Sequence, residues 1–146
     1  LQIAVCAALR SAGIDHYDFR RAGDEGLGFR WSEVMSDGAV IVKDDGGHTL
    51  KCKADDYTKV LGLPRTLEAF GLDMGALTRA DATILILPCN RSAHLELGYA
   101  RGAGQRTAVM LDPDEEGFIT PELMYLMVDY IAPSLFDLLG WLGVED

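Results

Sequence analysis

The clearest rhythm in the chain lies in its second half. Ala82–Leu87 (ATILIL) and Thr107–Leu111 are continuous apolar runs without alternation, the pattern of strands buried on both faces of a parallel sheet. Between them a helix is expected from Ser92 to about Gly102, with Ser92 as its N-cap. After the acidic turn DPDEEG a helix is expected over Pro121–Val128, and after Pro133 a last one to Leu142. Strand, helix, strand, helix at this spacing implies right-handed βαβ units. The expected fold class is α/β: a doubly wound, mainly parallel sheet of the flavodoxin- or Rossmann-like kind, with helices on both faces.

The first half has a weaker pattern. Gln2–Ala12 reads as a helix, with Ile3, Cys6, Ala7 and Arg10 at helical spacing and Gly13 as its stop. Asp15–Arg20 (DHYDFR) reads as a short strand, Arg21–Gly28 as a Gly-rich loop, and Phe29–Met35 as the opening of a short helix. Val40–Lys43 and His48–Cys52 flank Asp45, Gly46 and Gly47 as a β-hairpin. Pro64 then opens a helix running to about Ala80. An open α/β domain normally begins with a central strand, whereas this chain begins inside a helix. Either the first strand is missing or another segment supplies it; the favoured reading is one domain over residues 1–146 whose first strand is missing. The tail helices, with Leu123, Met124, Met127, Leu135, Leu138, Leu139 and Trp141, are amphipathic; they cover the sheet or serve the interface of a homodimer or higher homo-oligomer.

Composition narrows the function classes. A chain of 146 residues, 49% hydrophobic and 25% charged, can bury a core without disulfides or metals. No apolar run reaches a membrane span, and the opening LQIAVCAALRSAG is too evenly broken for a secretory signal. A net charge of −10 argues against nucleic-acid polymers, which are held by clustered Lys and Arg. A mononucleotide stays open, since backbone N–H groups and one Arg suffice for its phosphate. Cys6, Cys52 and Cys89 have no CxxC spacing and read as reduced thiols of a cytoplasmic protein. The three histidines are far apart and give no support for a metal site.

In such sheets ligands bind at the carboxyl ends of the strands, near helix N-termini, which directs attention to LPCNRSAHLELGYA, Leu87 to Ala100. Glu96 is expected in or just after the first turn of its helix, where the dipole favours the carboxylate that a nucleophile requires; equally, it is a dipole-compatible helix residue. N–H groups beside Ser92, with Asn90 and Arg91, suit an anion such as a nucleotide phosphate. In LEAFGLDMGALTRAD the expected apolar stripe is Leu67, Phe70, Met74 and Leu77. Asp73 falls about 60° from Phe70, ringed by Ala69, Ala76 and Ala80, a costly place for a carboxylate without a partner. Alternatively, Gly71 breaks the helix and Asp73 caps a second one begun at Leu72. His94 is a candidate for the same site or a packing residue. Asp18 and Arg20 end the DFR strand on the expected ligand edge, and Trp31 stacks on a base or belongs to the core. The acidic run Asp112, Asp114, Glu115 and Glu116 reads as a solvated turn.

LDMGALTRAD, a buried strand, then S-x-x-L-E-L-G-Y-A resembles the nucleoside 2-deoxyribosyltransferase-like superfamily, which includes nucleoside 5′-monophosphate N-glycosidases. The resemblance implies that Glu96 attacks the anomeric carbon of the sugar and that Asp73 assists at the nucleobase. It further implies that Asn90, Arg91 and Ser92 bind sugar hydroxyls or the 5′-phosphate. The implied activity is cleavage or transfer at the N-glycosidic bond of a (deoxy)nucleoside or its monophosphate, without a cofactor. A non-catalytic nucleotide-binding or scaffold protein of the same fold is the alternative. The match covers Phe70 to Leu111 well and the YDFR segment and C-terminal helices more loosely. It departs from the family where the first strand and its loop have no counterpart, and where Asn90 stands in place of an Asp. Phosphate loops of the GxxxxGKS or GxGxxG type are absent, as is the PGGxGT signature of the cytokinin-activating phosphoribohydrolases.

Overall fold

The computed structural model describes residues 1–19, 28–35, 40–44 and 47–144. They gather into two compact units, one made of Leu1–His16 with Ala76–Asp146 and the other of Tyr17–Gly75.

The first unit is built on three parallel strands, β3 (Ala82–Ile86), β4 (Arg106–Met110) and β5 (Tyr130–Ala132), in the order β3-β4-β5. Ala82 pairs with Arg106 and Ala108 with Tyr130. The two apolar runs are thus adjacent and parallel, as their lack of alternation predicts, and α4 (Arg91–Gly102) connects them. β4 is central: Thr107 to Met110 are all buried. Successive side chains of a strand point to opposite faces, and the core divides accordingly. Ala108 and Met110 pack with Val5 and Leu9 of α1 (Gln2–Ser11) and Leu138 of α5 (Leu135–Leu142). Val109 and Leu85 pack on the other side with Leu97 of α4 and Tyr125. Helices therefore cover both faces of the sheet.

Several expectations in this unit need correction. α1 turns Val5 and Leu9 inward, while Ile3 is 75% exposed. The segment is apolar all round, so periodicity does not choose its face. Asp15–Phe19 forms no strand. β5 was not anticipated; three residues are too short for a periodic signal. The helix expected over Pro121–Val128 is a 3-10 turn, Leu123–Met127, capped by Glu122, whose side chain accepts from the Met124 N–H at 2.9 Å. α5 begins as expected after Pro133: Ser134 caps it, and it ends at Gly143 with φ 87°, a left-handed turn that suits glycine. The acidic run is an exposed turn, in which Asp114 accepts from the N–H groups of Glu116 and Phe118.

The second unit holds the hairpin β1 (Val40–Asp44) and β2 (Gly47–Lys51), paired antiparallel from Val40↔Lys51 to Asp44↔Gly47, as expected. An unanticipated short helix, α2 (Ala54–Val60), follows. α3 (Pro64–Arg79) opens at Pro64 and runs unbroken through Gly71, so Asp73 is an interior helix residue and not a cap. The expected stripe is wrong in its first half: Leu67 and Phe70 are 56% and 64% exposed, and Thr66 and Ala69 are the buried positions. A stripe of large side chains gives way here to a face of small ones.

Candidate functional site

In the first unit the candidate residues follow the carboxyl end of β3. Leu87, whose N–H donates to Met110 O at 3.1 Å, extends the ladder by one residue. The chain then leaves the sheet through Pro88 and Cys89 and enters α4 at Arg91. Asn90 is the N-cap, without a side-chain capping bond, and Ser92 lies inside the helix. Ser92 is therefore not the cap. The side chain of a residue already in helical conformation cannot reach the first free N–H groups as a cap does. Asn90, Arg91 and Ser92 are all exposed.

Glu96 lies in the second turn of α4, deeper than expected, where the helix dipole has largely faded. Its angular position is informative. Leu97 and Ala100 are the buried residues of α4, and Ala93 packs against the same cluster. Glu96 lies about 60° from Ala93 and about 40° from Ala100. That places it on the flank of the core-facing stripe, where it is half-buried.

His94 is held at both ring nitrogens. Nδ1 lies 3.1 Å from Asn90 O, and Nε2 lies 3.0 Å from the Tyr125 hydroxyl. Cys89 Sγ is 3.6 Å from Nδ1. Burial pushes the Cys89 thiol up, so it stays protonated at neutral pH. Burial also raises Tyr125, with smaller contributions from Cys89 and Glu122. At the far end of α4, Arg101 pairs with Asp129 at 2.7 Å. Asp129 also accepts from the Thr107 N–H at 2.8 Å, which with Arg101 holds its carboxyl below the usual range.

In the second unit Asp73 accepts a hydrogen bond from the Tyr17 hydroxyl at 2.7 Å. A shallow cleft beside it is lined by Gly28, Phe29, Arg65, Ala69, Leu72 and Asp73. Arg65 organises this region. It donates from Nε to Glu33 at 2.7 Å, from Nη1 to Glu68 at 3.3 Å and from Nη2 to Gly28 O at 3.2 Å. Its guanidinium lies 5.8 Å from the centre of the Phe29 ring. The Arg65 hydrogen bond holds Glu33 below the usual carboxylate range, and Glu33 raises Arg65 in turn. Trp31 meets Phe29 edge-on at 5.1 Å and Tyr57 at 5.9 Å, so it belongs to an aromatic group and retains 37% exposure. Asp18 is half-buried. Arg20 lies outside the described residues.

The structure thus groups Asn90, Arg91, Ser92, His94 and Glu96 on one turn and helix, and Asp73 with Trp31 and Asp18 in the other unit. Among the described residues, no three His, Cys, Asp or Glu side chains gather as metal ligands, and no helix is long and apolar enough to cross a membrane. Sequence reasoning missed Tyr17, Arg65, Glu33 and Tyr125. The last sits in LMYLM, where only its hydroxyl distinguishes it from its neighbours. The spacing of Arg65 and Glu68 was a legible helical pair; the partners Glu33 and Gly28 come from distant sequence. Comparison with known proteins finds no matching family model, curated protein or solved structure.

Proposed function

We propose that the chain cleaves or transfers the N-glycosidic bond of a (deoxy)nucleoside or nucleoside monophosphate, with Glu96 as nucleophile. The observation that carries this reading is the place of Glu96. It is a half-buried carboxylate on the helix that leaves the carboxyl end of a parallel strand, where such sheets bind ligands. The layers on both faces of the three strands favour the finer reading of a doubly wound, Rossmann-like sheet.

In this mechanism a Glu96 oxygen bonds to the anomeric carbon as the C1′–N bond breaks, through an oxocarbenium-like state that the carboxylate stabilises. The departing base takes its proton from a nearby acid or from water. Water or a second base then displaces Glu96 from the sugar. Asn90, Arg91 and Ser92 hold the sugar hydroxyls or 5′-phosphate.

The test is release of free base from deoxynucleosides and their monophosphates, followed by chromatography. Glu96→Ala should lose at least about 10²-fold of turnover, because only binding and orientation remain. Glu96→Gln should be nearly as damaging, since it keeps the shape without the charge. Circular dichroism checks that each variant is folded. Base release that survives in Glu96→Ala places the nucleophile elsewhere, and wild type inactive on every substrate overturns the reading.

A further inference from the structure

A single side chain ties down the turn between β3 and α4. His94 stands at the fourth position of α4, with Nδ1 facing the Asn90 carbonyl oxygen and Nε2 facing the Tyr125 hydroxyl. A carbonyl oxygen only accepts, so Nδ1 carries the proton and donates to it. In that tautomer Nε2 accepts from the Tyr125 O–H. The two rings also stack, with centroids 5.9 Å apart and planes inclined by 11°.

The two ends of this network are unlike. Tyr125 is 9% exposed and belongs to the cluster of Leu85, Leu97 and Val109, so that end is rooted in the core. The other end reaches the backbone of Asn90, where the exposed side chains of Asn90, Arg91 and Ser92 begin. His94 is exposed, but both of its ring nitrogens face protein groups, so its polar influence on a ligand passes through Asn90. Cys89 Sγ, beside Nδ1, closes the side of the ring next to the turn.

We propose that His94 and Tyr125 are positioning residues, which hold the Asn90–Ser92 segment in the conformation that takes the 5′-phosphate of a nucleoside monophosphate. The inference rests on the reading of the Glu96 site given above. It adds a prediction that overall stability does not make: loss of the network weakens the phosphorylated ligand selectively.

The experiment pairs calorimetric titration with NMR on the full chain. Long-range 15N correlation of the wild type should show His94 as the Nδ1–H tautomer. 2′-Deoxynucleoside 5′-monophosphates and the matching nucleosides are titrated into wild type, Tyr125→Phe, His94→Ala and His94→Asn. Tyr125→Phe keeps the ring stack and removes only the hydroxyl. It and His94→Ala should weaken the monophosphate about five- to tenfold, the scale of one lost hydrogen bond, and the nucleoside by less than about twofold. His94→Asn keeps an N–H near the Nδ1 position but lacks the partner of the Tyr125 hydroxyl, so its losses should match those of Tyr125→Phe. An Nε2–H tautomer, or equal losses for nucleoside and monophosphate, overturns the proposal. So does unchanged affinity alongside a lowered Tm. Wild type that binds neither ligand overturns the parent reading and this one with it. Wild-type binding that ignores the substitutions overturns this one alone.

Discussion

At the scale of single residues, Asp129, an acid the sequence did not single out, ties β4 to α4. It is the residue just before β5, and its carboxylate takes the Thr107 N–H and hydroxyl on β4 and the Arg101 guanidinium on α4. Its own N–H donates to Thr107 O at 3.0 Å. The Thr107 N–H is the main cause of its depressed pKa, ahead of Arg101. A carboxyl group whose folded pKa lies below its unfolded value contributes stability that is complete above the unfolded value. That contribution is lost as pH falls through the folded one. Asp129→Asn should therefore be less stable than wild type at pH 7, with the gap closing as the pH is lowered below about 4. Urea unfolding at stepped pH measures it, and a gap that does not change with pH sinks the assignment.

At the scale of elements, burial separates positions that composition does not. Leu138 on α5 is fully buried against α1, β4 and β5, whereas Leu95 on α4 is 76% exposed. Leu138→Ala should cost about 2–5 kcal/mol, as truncation in a core does, and Leu95→Ala should stay within about 0.5 kcal/mol. Denaturant melts of the two variants decide it; equal losses would mean that α5 does not close that face. The same contrast explains which elements were legible. β3, α4 and β4 announce themselves because strands buried on both faces become apolar runs, and Pro64 and Pro133 mark the helices after them. The hairpin was legible from its glycines. α1 was legible as a helix but not in orientation, because Val5, Leu9 and Ile3 are equally apolar in a segment with no polar face. α2 and β5 are too short to carry a period. Ser92 looked like a cap because its side chain suits that role, but the helix starts one residue earlier, at Arg91.

At the scale of the whole molecule, the sequence put Glu96 on the helix that follows β3, though nearer its start than it lies, because strand end and helix start are local features. It did not foresee the ties that fix the turn. His94, Cys89 and Asn90 are neighbours in sequence, but Tyr125 joins them from 31 residues beyond His94, and only folding brings it there. Arg65 shows the same rule in the other unit, since Glu33 reaches it across 32 residues. The largest property readable without any fold is charge, and it makes a prediction about kinetics. At −10 the molecule repels an anionic ligand at long range, and salt shortens that reach to about 8–10 Å at 0.1–0.15 M. If a nucleoside monophosphate is the substrate, its association rate constant should rise with ionic strength, while that of the uncharged nucleoside stays flat. The opposite trend would mean that local positive charge, such as Arg91 at the start of α4, governs the encounter instead of the net charge. Stopped-flow mixing with a fluorescent nucleotide analogue across a salt series reads this directly. Dissociation should also quicken with salt as the short phosphate contacts weaken, so the two rate constants must be separated. An affinity alone would let these effects cancel.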